Sequence, residues 1–128
     1  MADALLTRPF TAAPAVNPLV AYGYVTAPGN DRQATQACAA LLELWCYTEG
    51  WIFGAMFVDA ASGPDEVIEP GFTGLVDALP VYPRAAVLLV EPGDLSLHIG
   101  AALVKQAAIR RTGAQLQVLS DELAEAVT

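Results

Sequence analysis

The chain has 128 residues, enough for one domain with a sizeable core. With 55% hydrophobic and 16% charged residues, it falls outside the disordered class. Its net charge is −8, from 14 acids against 6 bases. Six scattered cations are too few to replace the counterions of a nucleic-acid backbone, so affinity for DNA on the order of 10⁻⁴ M or weaker is expected. No apolar run approaches the length of a membrane span, and MADALLTRPF lacks the basic and apolar regions of a secretory signal, so a cytoplasmic location is expected.

Residues 1–18 hold Pro9, Pro14 and Pro18 among small residues and read as an arm. Residues 19–128 read as the domain. Leu19 to Thr26 is β-branched and aromatic with no polar face, as in a strand buried on both sides. A Pro-Gly-Asn turn follows. Asp31 can cap a helix to about Glu49, with Ala34, Ala37, Cys38, Leu41, Leu42, Trp45 and Cys46 inward and Gly50 as its stop. Trp51 to Val58 is a second apolar strand, and Asp59 to Glu69 a loop. Pro70 opens a short helix through Leu79 that turns Phe72, Leu75, Val76 and Leu79 to one side. Arg84 to Val90 is a third strand. Asp94 or Ser96 caps a helix through Arg111, with Ile99, Ala102, Leu103, Gln106 and Ala107 inward, and Gly113 ends it. Gln115 to Leu119 is a fourth strand, and Ser120 caps a last short helical turn.

This alternation predicts an α/β fold: an open, mostly parallel sheet of four or five strands with helices on both faces. Any site then falls at the C-terminal strand ends. Cys38 and Cys46 lie eight apart on one helix, so their Cα atoms stand about 12 Å from each other, too far to bridge. They read as free thiols.

Four segments, in order, resemble the catalytic domain of the serine recombinases (the resolvase/invertase family) over residues 19–119. GYVTAPGNDRQATQ (23–36) stands where that family carries Tyr-x-Arg-x-Ser-Thr and its first helix. MFVDAASG (56–63) is similar to its second strand and Ser-Gly loop. EPGFTGLVDAL (69–79) resembles its Arg-Pro-Gly-Phe helix. VLLVEPGDLSLHIGAALVKQAAIRRTGAQLQVL (87–119) resembles its third strand, Asp-Arg-x-x-Arg segment, long helix and fourth strand.

The resemblance implies a serine that attacks a DNA phosphate and becomes covalently linked to it. Pro28 stands at that position, and Thr26 at the arginine that clamps the phosphate. Leu95 and His98 occupy the two arginine positions of the third loop. Ser62 and Asp94 match the family pattern, but a turn residue before Gly63 and a helix cap are the preferred accounts of them. Without the nucleophile and three arginines, nothing would position or stabilise the phosphoryl-transfer transition state.

His98 is the lone histidine, and no glycine-rich phosphate loop or Gly-x-Ser-x-Gly occurs. Asp59, Glu91 and Asp94 share a sheet edge, but no metal and no cofactor is expected. The long dimerising helix and DNA-reading domain that follow in the family are not expected here. An arm carrying Leu5, Leu6 and Phe10 is expected to cover the apolar surface instead, on its own domain or on a second copy.

The expected function is that of a catalytically inactive resolvase-like domain, a protein-interaction or regulatory module that forms a homodimer or meets another protein. Two alternatives stay open. A basic surface patch would favour a DNA strand-exchange domain with an atypical site. An apolar cleft near Pro28, Ser62 and Asp94 would favour a small-ligand binder, whereas an exposed apolar patch would favour the interaction module.

Overall fold

The computed structural model describes residues 18–27, 31–60 and 69–121. Leu5, Leu6 and Phe10 of the arm, Pro28, Ser62 and the chain after Asp121 lie outside the described residues. Four strands are described: β1 (Val20–Ala27), β2 (Ile52–Ala60), β3 (Ala85–Leu89) and β4 (Gln115–Val118). They form one parallel sheet in the order β2-β1-β3-β4. The expected fifth strand is not among the described residues. Every residue of β1 and β3, the two central strands, is buried. That is why both read as apolar runs without alternation.

Three helices connect the strands: α1 (Arg32–Glu49), α2 (Pro70–Ala78) and α3 (Ile99–Arg111). On one face Leu42 and Cys46 of α1 pack on Leu19, Ala21, Ala86 and Leu88. On the other, Leu75 of α2, Leu79 and Ile109 of α3 pack on Val20, Tyr22, Tyr24, Val87 and Leu89. The chain moves from β1 outward to β2, then crosses back over β1 to β3, so the connection reverses between β1 and β3.

Helix α1 starts as expected. The Asp31 carboxylate accepts from the Ala34 amide at 3.0 Å, and Gly50 closes the helix at a φ of 75°. Its inward face is narrower than the sequence indicates: Ala34, Ala37 and Leu41 are exposed. Helix α2 begins at Pro70 and tightens into a 3₁₀ turn at Leu79–Val81. Both cysteines are free, and burial pushes each thiol up to about 11.

Helix α3 departs from expectation twice. Neither Asp94 nor Ser96 caps it; His98 holds the N-cap position, with no side-chain capping bond. Pro92–Asp94 forms its own 3₁₀ turn, closed by the Asp94 carboxylate on the Glu91 amide at 3.1 Å. Ser96 Oγ accepts from the His98 amide at 3.1 Å, holding the chain in a local turn that delays the helix. The inward face is also rotated. Ile99 is 81% and Leu103 60% exposed, and Ala107 is exposed, whereas Lys105 is 5% exposed and Ile109 fully buried. A polar receptor inside the fold draws Lys105 in, and the helix turns with it.

Candidate functional site

Two sites form at the C-terminal ends of the strands, one on each face of the sheet. The first is a buried polar network on the α2/α3 face. Tyr24 lies three residues before the end of β1 and points to that face, as does Thr26 two residues on. Asp59 sits opposite Thr26 in the β1–β2 register. Its Oδ1 accepts from the Gly71 amide at 2.7 Å, and its Oδ2 from the Phe72 amide at 2.8 Å and the Tyr24 hydroxyl at 2.6 Å. Asp59 therefore caps α2 from a neighbouring strand, because Glu69, at the N-cap position, makes no side-chain capping bond. A Cβ on Gly71 would meet the Val58 carbonyl, so only glycine lets the helix approach this carboxylate so closely.

Lys105 enters from α3. Its ammonium reaches Glu69 Oε1 at 2.8 Å, the Leu95 carbonyl at 2.9 Å and the Tyr24 hydroxyl at 3.0 Å, which uses all three of its donors. It also lies 5.0 Å from the Tyr24 ring centre and 5.3 Å from that of Phe72. Burial first, and the bond to Asp59 second, hold the Tyr24 phenol protonated far above its ordinary 10.0. The network thus joins β1, β2, α2, α3 and the turn after β3 through one ammonium and two carboxylates. No donor on Lys105 is left over.

The residues singled out from sequence fare unevenly. Thr26 is buried, and its hydroxyl donates to the Leu95 carbonyl at 3.3 Å. Leu95 enters the network only through that carbonyl; its side chain belongs to the core. Asp94 closes the 3₁₀ turn, and His98 opens α3. Of the four central residues, Asp59 was considered only as part of an acidic sheet edge, and Tyr24, Glu69 and Lys105 were not singled out. Signals for them existed. Tyr24 aligns with the tyrosine of Tyr-x-Arg-x-Ser, and Glu69 with the arginine of Arg-Pro-Gly-Phe. Ala102, Lys105 and Ile109 share the spacing of one helical face.

The second site is a cleft of about 460 Å³ on the α1 face, between that helix and the ends of β1 and β3. Val25, Ala27, Leu41 and Val90 wall it, and Glu91 and Asp94 lie at one side. Burial pushes the Asp94 carboxyl above its ordinary 3.8, while the Glu91 amide that bonds it pulls the other way.

Charge at this edge is negative. Among the described residues it carries Asp31, Asp59, Glu69, Glu91, Asp94 and Asp121 against Arg32 and Lys105. Arg84, Arg110 and Arg111 lie at the opposite end of the sheet, before β3 and at the end of α3. Among the described residues no three His, Cys, Asp or Glu side chains are grouped to hold a metal ion. None of the described helices is long and apolar enough to cross a membrane.

No protein-family model matches the sequence, and no curated protein does. Solved structures match well. The C-terminal catalytic domain of ISC1926 TnpA, an IS607-like serine recombinase, superposes with a TM-score of 0.64 at 14% identity, covering 85% of this chain and 78% of that one. The N-terminal catalytic domain of TP901-1 integrase gives 0.64 at 15% identity, over 80% and 78%. A resolvase-family site-specific recombinase from Streptococcus pneumoniae gives 0.62 at 13%, over 82% and 74%. At these identities the likeness speaks for the fold, and the fold of this chain is that of a serine recombinase catalytic domain.

Proposed function

We propose that this resolvase-fold domain does not cleave DNA and acts instead as an interaction module that pairs with a second copy of itself. The observation that carries the first half is the commitment of Lys105. A phosphoryl-transfer site needs cationic donors free to meet the transferring group. At this strand edge the buried ammonium is spent on Glu69, Tyr24 and Leu95, and carboxylates surround it. At the positions that the family resemblance gives to clamp and nucleophile, Thr26 carries no charge and Pro28 no nucleophilic group.

The outer side of α3 supports the second half. Leu97, Ile99, Leu103 and Val104 are each 60% exposed or more, an apolar patch of the kind that marks interaction surfaces. Two such helices packed about a two-fold axis would bury the patch against itself, with Arg110 and Arg111 at the end of each helix left at the rim.

The test has two readings. Incubation with a nicked suicide DNA substrate should give no covalent adduct, and sedimentation should give a dimer that Leu103→Glu converts to monomer. A trapped adduct overturns the first half. A monomeric parent protein, or a Leu103→Glu variant still dimeric, overturns the second.

A further inference from the structure

We propose that the cleft between α1 and the ends of β1 and β3 binds a small molecule with an apolar body and one protonated amine. This goes beyond the interaction reading and uses the opposite face of the sheet. The cleft lies at the place where the chain's connections diverge. From β1 the chain runs outward through α1 to β2, and from β3 it runs the other way through α3 to β4. Open parallel sheets leave a crevice there, because the two departing segments cannot both cover it.

Two features of this sequence keep the crevice open. Ala34 and Ala37 face it from the first half of α1, and neither side chain can reach the sheet. Leu41 lines it while remaining 40% exposed, so the first half of the helix meets the core only through the half-buried Cys38, and full burial begins at Leu42. At about 460 Å³ the space matches the lower range of small-molecule sites.

The polar groups around it select the ligand's charge. Thr26 spends its hydroxyl on the opposite face, toward Leu95 and Tyr24. Thr35 donates to the Asp31 carbonyl at 3.0 Å. The Cys38 thiol is neutral, since burial raises it to about 11. Among the described residues the charged groups left on the lining are Glu91 and Asp94, both acidic, and no lysine or arginine joins them. One Asp94 oxygen holds the Glu91 amide. An ammonium at the other would gain a charge-assisted bond while its apolar body fills the walls. Phosphates, nucleotides and carboxylates would meet like charge instead.

Three probes that share one body separate the terms: 4-phenylbutylamine, 4-phenylbutanol and 4-phenylbutyrate. Binding is followed on the intact chain by backbone-amide chemical shifts of Ala34, Ala37 and Val90 and by protection of Cys38 from alkylation, with buried Cys46 as internal control. The amine should bind about tenfold more tightly than the alcohol, and the butyrate most weakly. Asp94→Asn, which keeps an acceptor for the Glu91 amide, should bring the amine down toward the alcohol. Ala37→Leu, a substitution at an exposed helical position, should fill the cleft and abolish binding of all three; Ala34→Leu repeats the test if Ala37→Leu fails to fold. Equal binding of amine and alcohol, or an unchanged preference in Asp94→Asn, overturns the amine. Binding undiminished by both leucine variants overturns the cleft. If no probe binds and Cys38 is already protected, the chain itself fills the space and the proposal fails.

Discussion

Replacing Lys105 with methionine tests the buried network most directly. Methionine keeps most of the length and apolar stem, so the change removes the ammonium and little volume. Three contacts disappear together, to Glu69, Leu95 and Tyr24. The Leu95 carbonyl keeps the Thr26 hydroxyl and Tyr24 keeps Asp59, so neither is orphaned. Glu69 is the group left stranded, a carboxylate with a side chain only 18% exposed. Removing one partner of a buried pair costs about 3–5 kcal/mol, and the residual exposure of Glu69 places this case near 3 kcal/mol. For a domain of this size that lowers Tm by roughly 10 °C. Removing the stranded charge as well should restore most of the loss. The double variant Lys105→Met with Glu69→Leu should lie within about 1 kcal/mol of the parent, since apolar replacement of a buried pair is often neutral. Urea unfolding read by tryptophan fluorescence and circular dichroism gives all four corners of the cycle. A loss below about 1 kcal/mol in Lys105→Met, or a double variant as poor as the sum of the singles, would refute the coupling.

Two further predictions concern the same network. Gly71→Ala puts a Cβ against the Val58 carbonyl and 2.8 Å from Asp59 Oδ1, so the first turn of α2 must withdraw. The expected cost is about 2 kcal/mol, and an unchanged melting temperature would show that the approach can relax freely. Tyr24 has its pKa raised by burial and by Asp59, so the folded state holds the phenolic proton more tightly than the unfolded chain. That stabilisation is complete below pH 10 and is lost as pH rises beyond it. Tyr24→Phe should be less stable at neutral pH yet lose stability less steeply above pH 10. Tyr22, also raised by burial, leaves some slope in the variant. Parallel urea titrations on either side of pH 10 check this, and equal slopes would remove Tyr24 as the source.

The architecture was legible because the central strands are buried on both faces. Such strands must be continuously apolar, and Leu19 to Thr26 and Arg84 to Val90 are nearly so. Asp31 and Gly50 marked the ends of α1 by local chemistry alone. The site was less legible, since its logic is long-range. A lysine in the second half of a helix satisfies the helix dipole wherever it faces, and periodicity placed Ile99 and Leu103 inward. What reverses that face is a receptor assembled from Glu69, Tyr24 and the Leu95 carbonyl, which lie 36, 81 and 10 residues away in sequence. Asp59 read as a loop residue because the group it caps begins ten or more residues later. The cleft was anticipated by its place at the strand ends. Its extent was not, because Ala34 and Ala37 satisfy a hydrophobic pattern whether or not they touch anything.

The Lys105 contact set also governs how the molecule opens. An ammonium bound to three elements at once cannot release one of them without exposing a charge to a dry interior, so partial detachment of α2 or α3 is disfavoured relative to joint release. The amides of Gly71 and Phe72, held by Asp59, and those of central β1 should then behave as one cooperative unit in hydrogen exchange. The first half of α1, bordered by empty space, falls outside that unit and is free to breathe alone. Rigidity and compliance are thus divided between the two faces of a single sheet, with the side that yields being the side where a ligand could enter.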